Sequence, residues 1–257
     1  MYSKERELAE KLADCARSSV LSYFRKPLDI DTKGDESPVT IADRETERLM
    51  RELIGETFPG HGILGEEFGA ENTDAPYVWA LDPIDGTKSF ITGNPLFGTL
   101  ISLLKDGRPI IGIIDMPALD ERWIGCENRQ TTLNGKDVHV RPCADLGDAW
   151  LYATSPHMFG ENDFQAFEKV RKLSGCALYG IDCYSYGLLA NGSCDLIIEA
   201  TMGTHDYCAL VPVITGAGGT MTDWQGKPLD LNSDGRVIAA GDQAIAEKVR
   251  ALLNPYD

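Results

Sequence analysis

The chain has 257 residues, enough for one large domain or two small ones sharing a core. A composition of 43% hydrophobic and 25% charged residues is that of a soluble globular protein, and a formal net charge of −16 repels nucleic acid and anionic membranes, so neither is expected as a partner. The seven cysteines are odd in number and contain no C-x-x-C pair, which argues for reduced thiols and a cytoplasmic protein and against a disulfide framework.

The start, MYSKERELAEKLADCARSS, is charged and amphipathic and lacks the apolar core of a signal peptide. Leu8, Leu12, Cys15 or Ala16, Ser19 or Val20, and Tyr23 recur at helical spacing, which predicts a helix over 4–24. A polar stretch, DIDTKGDESPVT, follows. A second helix begins at Thr40 or Asp43, carries Ala42, Thr46, Leu49, Met50, Leu53 and Ile54 on one side, and stops before Pro59-Gly60. After the short apolar segment HGILGEE come the strand YVWALD and three further β-like runs, FGTLISLL, PIIGIID and ERWIGC. KDGR makes a hairpin of the first two of these runs, and Asn134-Gly135 marks another turn, so residues 76–140 read as an antiparallel meander. No run of about 18 apolar residues is present, so no membrane span is expected.

From about residue 148 strands and helices alternate. AWLYATS, ALYGI, CDLIIEA, GTMTDW and RVIAAG read as strands; NDFQAFEKVRKL, YSYGLLANG, DYCALVPVITGAGG and QAIAEKVRALL read as helices. The fold class is therefore mixed α/β (α+β). An N-terminal half, 1–147, and a C-terminal half, 148–257, pack as one continuous body with a cleft between them.

The chemistry lies in the carboxylates. Asp82 and Asp85 end an apolar strand, three residues apart, so a regular strand would separate them. Pro83 ends the ladder, and the turn it forces brings both to one point. Two anions there repel unless a cation sits between them, and oxygen-only ligands suit Mg2+. Gly86 permits close backbone approach, and amides around Gly86 and Thr87 are able to cradle a phosphate. Other acidic positions stand near element ends: Asp43, Glu66-Glu67 after Gly65, Glu199, and Asp206. Taken singly, Asp43 and Asp206 read as helix caps and Glu66-Glu67 as a solvated acidic pair.

Their order is the informative part. Gly65-Glu66-Glu67, then DPIDGT from Asp82 to Thr87, then Asp206 ahead of Ala217-Gly218-Gly219 resembles the inositol-monophosphatase-like family of Mg2+-dependent phosphomonoesterases. The resemblance runs from PVTIAD to RVIAAG. It implies a layered αβαβα sandwich, with an antiparallel N-terminal sheet and a smaller C-terminal α/β layer. The site would lie at the junction of the halves, with metal and phosphate loop on the N-terminal side and substrate-side residues on the other. It also implies Glu66, Asp82, the carbonyl of Ile84, Asp85 and Asp206 as ligands of two to three Mg2+ ions, with Asp82 bridging two. Asp43 and Thr87 would orient or deprotonate the attacking water, with Glu66 beside them as a catalytic residue. The amides of Gly86 and Thr87 would hold phosphate. A homodimer is the family's common state.

Three segments, DGTKSFITGNPLFGTLISL, DCYSYGLLANGSCDLIIEA and HDYCALVPVITGAGG, resemble the histidinol-phosphate phosphatase branch, which would place the chain in histidine biosynthesis. Histidinol phosphate carries an ammonium and an imidazole, so acceptors are needed away from the metals. Asp182 and Glu199 are the candidates, with Lys88 near phosphate and Asp206 also facing substrate. His205 departs from the branch, where Tyr is expected, and from the inositol-phosphate pattern, where Trp is expected. The alternatives are an inositol-phosphate, sugar-phosphate or nucleotide phosphomonoesterase and, in a different class, a non-catalytic Mg2+-binding regulatory protein.

Overall fold

Leu8, Leu12 and Ala16, with Ala9, Ala13 and Val20 beside them, are buried along one face of α1 (Ser3–Tyr23). The computed structural model describes residues 2–27, 30–32 and 38–254; of the polar stretch after α1, residues 29 and 33–37 lie outside these. Two short strands, β1 (Ile30–Thr32) and β2 (Pro38–Thr40), pair antiparallel ahead of α2 (Ile41–Thr57). Of the two expected starts of α2, Thr40 is the N-cap and Asp43 the N3 partner of a capping box: the Thr40 amide donates to Asp43 Oδ2 at 2.8 Å, and the Ala42 amide donates to Thr40 Oγ1 at 3.1 Å.

Eight strands form the larger sheet. They are β3 (Gly62–Gly65), β4 (Gly69–Glu71), β5 (Tyr77–Asp85), β6 (Gly98–Lys105), β7 (Arg108–Met116), β8 (Glu121–Cys126), β9 (Thr132–Leu133) and β10 (Lys136–Asp137). The order is β10-β9-β8-β7-β6-β5-β3-β4. The run from β5 to β10 is the antiparallel meander that the sequence predicts, but β3 joins β5 in parallel, so the sheet is mixed. The five-residue α3 (Thr87–Ile91) follows β5.

The second half supplies β11 (Trp150–Ala153), α4 (Glu161–Leu173), β12 (Cys176–Tyr179), α5 (Tyr184–Ala190), β13 (Leu196–Glu199), α6 (Thr204–Gly216), β14 (Thr220–Thr222), β15 (Val237–Ala240) and α7 (Gln243–Leu253). Its sheet runs β12-β11-β13-β15-β14. Strand alternation sorts most buried side chains into three cores, and Val20, Ala42, Ile84, Phe90 and Phe97 form a smaller fourth. Trp79, Leu81, Ile101 and Ile113 meet α1 and α2 on one face of the large sheet. Ala80, Leu100 and Ile114, from its other face, meet α5, α6, Ile197 and Ala239. Leu151, Ile198 and Ile238 meet Phe167 of α4 and Val249 of α7. The layers are helix, sheet, helix, sheet, helix.

The central helix α6 sits unusually close to the large sheet. Gly112 and Gly125 are cross-strand partners on β7 and β8. A Cβ on Gly112 would lie 1.9 Å from the Ala209 carbonyl oxygen, and one on Gly125 would lie 2.3 Å from the Pro212 carbonyl carbon. Pro212 lies inside the helix and has no N–H, so the Cys208 carbonyl loses its donor four residues on. The Ser102 hydroxyl on β6 donates to that carbonyl at 3.1 Å, with the Ile111 carbonyl an equidistant second acceptor.

Gly112→Ala should cost about 3 kcal/mol, because the obstacle is backbone and cannot swing away. Ser102→Ala should cost about 1 to 2 kcal/mol by orphaning the Cys208 carbonyl. Urea unfolding checks both: a loss under about 0.5 kcal/mol in either variant would refute the close seat of α6.

Candidate active site

The strand β5 does not end at Pro83, contrary to the sequence expectation. Its pairing with β6 steps from Asp82–Leu100 to Asp85–Gly98, so Pro83 and Ile84 stand opposite Thr99 alone. The extra residue is a β-bulge, which shifts the side-chain alternation by one and returns Asp82 and Asp85 to the same face. Thr99 Oγ1 holds the bulge by donating to the Pro83 carbonyl at 2.8 Å. The Ile84 amide donates to Asp82 Oδ1 at 3.0 Å, and the Ile84 carbonyl accepts from Thr87 Oγ1 at 3.0 Å. Gly86 follows with φ 82°, a left-handed conformation suited to glycine, and caps α3.

Two helix starts deliver further carboxylates. Asp206 is the N3 residue of α6, and its Oδ2 accepts the Gly203 amide at 2.6 Å. Asp43 takes the same position in α2 and is buried. One oxygen caps the helix, while Oδ1 is buried without a hydrogen-bond partner. The capping role and a role in chemistry are therefore compatible at both positions, one per oxygen. Glu66 stands in the turn after β3, its amide donating to the Leu81 carbonyl at 3.1 Å.

Among the described residues, Asp82, Asp85 and Asp206 each offer one oxygen within 4.8 Å of the others. Burial above all pushes the Asp82 carboxyl well above the ordinary range, with the charges of Glu66, Asp85 and Asp206 adding to it. Asp85 is raised likewise by burial, then by Asp182 and Asp206, against the opposing amide of Cys183, which donates to it at 2.7 Å. Burial also raises Asp206 and Asp43; His205 and the Gly203 amide oppose this at Asp206, and Thr40 opposes it at Asp43. Such mutual repulsion, with oxygen donors alone, fits a hard divalent cation such as Mg2+.

A cavity of about 220 Å3 opens beside this cluster and is lined by Asp85, Asp182, Tyr186, Glu199, Met202 and Asp206 among others. Three successive left-handed residues, Gly180 (φ 93°), Ile181 (φ 68°) and Asp182 (φ 41°), lead into it. For β-branched Ile181 that conformation costs about 1–2 kcal/mol. The result is that the Asp182 carboxylate overhangs Gly86, where a Cβ would lie 2.9 Å from Asp182 Oδ2. Ser89 Oγ donates to the same oxygen at 3.4 Å, and the charge of exposed Lys88 partly offsets the burial that raises Asp182. Glu199 is buried, with the Thr154 amide on Oε1 at 2.8 Å and the Tyr186 hydroxyl on Oε2 at 2.8 Å. Burial pushes its carboxyl up to about 7. His205 is half-buried beside the cluster, its Nε2 3.4 Å from Asp206 Oδ1.

Thr154, Tyr186 and Cys183 reach these carboxylates through partners far away in the chain, and no spacing in the sequence announces them. Cys183 and Tyr186 lie inside DCYSYG, within a segment that the sequence ties to the substrate, and Thr154 lies in the strand AWLYATS.

Residues 1–256 match the family described as the inositol monophosphatase family. The bifunctional phosphatase IMPL2, chloroplastic, of Arabidopsis thaliana is 51% identical over 92% of this chain and 71% of its own length. The histidinol-phosphatase of Mycobacterium tuberculosis is 38% identical over 85% of this chain and 87% of its own. A solved inositol monophosphatase structure from Zymomonas mobilis superposes with a TM-score of 0.91 at 46% identity, covering 99% of both chains. The plant relative is named as chloroplastic, so the expected cytoplasmic location gains no support from it. Among the described residues no helix is long and apolar enough to cross a membrane.

The raised carboxyls give the metal-free protein a definite pH dependence. Each binds its proton more tightly folded than unfolded, so its contribution is full below the ordinary carboxylate range, near pH 4, and is lost as pH rises through the higher folded values. In EDTA the Tm should therefore fall as pH is raised from about 5 to 8, and Asp85→Asn should flatten that slope. Equal slopes in the two proteins would show that the cluster does not carry it.

Proposed function

The chain belongs to the inositol monophosphatase family and is a phosphatase of it, and from that premise we propose that it is a Mg2+-dependent phosphomonoesterase acting on L-histidinol phosphate. The observation that carries the substrate is the cavity wall. Among the described residues that line it, Asp182 and Glu199 stand beside the aspartate cluster, and none is Lys or Arg. An ammonium-bearing alcohol suits such a wall better than an anionic one. The histidinol-phosphatases of M. tuberculosis and Chlorobaculum parvum, at 38% and 33% identity, support the same reading.

A second reading, an inositol or other polyol phosphate, draws on Glu199. With its carboxyl near 7, it is in part a neutral acid at neutral pH and able to donate a hydrogen bond to a hydroxyl. The Zymomonas relative points the same way.

Glu66, Asp82, the Ile84 carbonyl, Asp85 and Asp206 would hold Mg2+, two or three ions in all. Bound Mg2+ supplies a water acidic enough to attack near neutral pH and offsets charge on the phosphoryl oxygens. The chain's own groups do the rest. Asp43 Oδ1, buried and unpartnered, accepts the proton of the attacking water, and its burial makes it the stronger base. Thr87 Oγ1, turned from the Ile84 carbonyl, orients that water. The amides of Gly86 and Thr87 hold the phosphate, and Lys88 adds a positive charge at its edge. The water oxygen bonds to phosphorus, the ester P–O bond breaks, and the leaving alkoxide takes a proton from solvent water and departs as the alcohol toward Asp182 and Glu199, while Asp43 returns its proton to solvent.

EDTA should abolish phosphate release, Mg2+ restore it and Ca2+ inhibit it, since Ca2+ accepts longer and looser coordination. Asp85→Asn and Asp206→Asn should each lose roughly 100-fold or more in turnover while remaining folded. Full activity in excess chelator would refute the metal dependence.

The substrate is tested by two variants on two esters. Asp182→Asn and Glu199→Gln should lower kcat/KM for histidinol phosphate by about 1–3 kcal/mol and for glycerol phosphate much less. Equal losses on both esters would mean that these carboxylates do not read the amine. A higher kcat/KM of the unaltered protein on inositol phosphate would select the polyol reading.

A further inference from the structure

We propose that Glu47 is a positioning residue for the metal site, clamping the turn that carries Glu66; this rests on the reading of Glu66 as a Mg2+ ligand. Asp43, Glu47 and Arg51 succeed one another at four-residue spacing, along one face of α2. Glu47 is fully buried. Its Oε2 accepts the Glu67 amide at 2.7 Å, and its Oε1 accepts the Phe68 amide at 3.2 Å and Arg51 Nε at 2.7 Å. Arg51 continues the clamp, donating Nη2 to the Gly69 carbonyl and Nη1 to Glu71 Oε2. Residues 67, 68, 69 and 71 are thus all tied to two turns of one helix.

Glu66 lies at the near edge of this clamp. On its other side its amide is bonded to the carbonyl of Leu81, the residue before Asp82. Its backbone is therefore fixed between the strand that carries Asp82 and the helix that carries Asp43. Gly65 is part of the device: a Cβ there would lie 1.9 Å from Glu47 Oε1, so only glycine admits the carboxylate. A buried ion pair contributes little to stability compared with an apolar pair of similar volume. What Glu47 supplies that an apolar residue would not is two directed acceptors for the turn amides. Groups that hold a metal's ligands in place commonly set its affinity by 10- to 100-fold.

The test is a calorimetric titration of Mg2+ into the metal-free full-length protein without substrate. Glu47→Gln places an NH2 group where an amide now donates, and should raise the Mg2+ Kd roughly tenfold or more, with kcat at saturating Mg2+ within about twofold of the original. Arg51→Gln should shift the Kd in the same direction and serves if Glu47→Gln does not fold. Asp195→Asn is the control. Asp195 is buried and bonded to Arg141 just before β13, at the end opposite Glu199. It should lower the Tm without moving the Kd. An unchanged Kd in a folded Glu47 or Arg51 variant, with Mg2+ still bound by the unaltered protein, overturns the positioning role alone. Failure of the unaltered protein to bind Mg2+ overturns the metal reading and this inference together.

Discussion

Carboxylates crowded into a buried space repel one another, and the structure is organised around holding them there. Asp82, Asp85 and Asp206 bring oxygens within 4.8 Å, with Glu66 and Asp182 adding charge at the margins. No single element could present them all. A bulged strand supplies two, a helix start supplies Asp206, a turn supplies Glu66 and a left-handed segment supplies Asp182. Local dipoles temper the repulsion without removing it: the amides of Ile84, Cys183 and Gly203 each donate to one of the three clustered aspartates. What remains is a field that a small divalent cation satisfies.

Much of this was legible in the sequence, and the limits have physical causes. The meander from β5 to β10 follows from period-two alternation and from turns at KDGR and Asn134-Gly135. The five αβαβα layers came from the family resemblance. The carboxylates were legible through DPIDGT and its companions. How Asp82 and Asp85 come to share a face was not, because proline is compatible with a strand end or a bulge, and only the partner Thr99 decides. The parallel pairing of β3 with β5 was missed for a similar reason, since four residues carry no sign of strand direction. Glu47 reads as an ordinary polar position of an amphipathic helix. Its burial depends on amides twenty residues later and on the missing Cβ of Gly65.

Substrate choice is the part on which chain and relatives speak least uniformly. Relatives near 50% identity are named as a bifunctional phosphatase and an inositol monophosphatase, while those named histidinol-phosphatase stand at 33–38%. The cavity reflects the same duality. Asp182 is strained into place, as groups with a dedicated contact tend to be. Glu199 already spends an acceptor site of each oxygen on Thr154 and Tyr186, which makes it more rigid and less exclusively an ammonium acceptor.

The seat of α6 on Gly112 and Gly125 has a mechanical consequence. Pro212, seated against Gly125, lies six residues from Asp206, a lever arm of about 9 Å at 1.5 Å per residue. Rocking the helix by about 10° on that fulcrum would displace the Asp206 backbone by about 1.6 Å, far beyond the ~0.2 Å tolerance of a metal–ligand distance. Two hydrogen side chains on neighbouring strands thus act as the bearing of an instrument whose tip is one carboxylate of the aspartate cluster, and wear at that bearing would be felt as lost alignment before it was felt as lost structure.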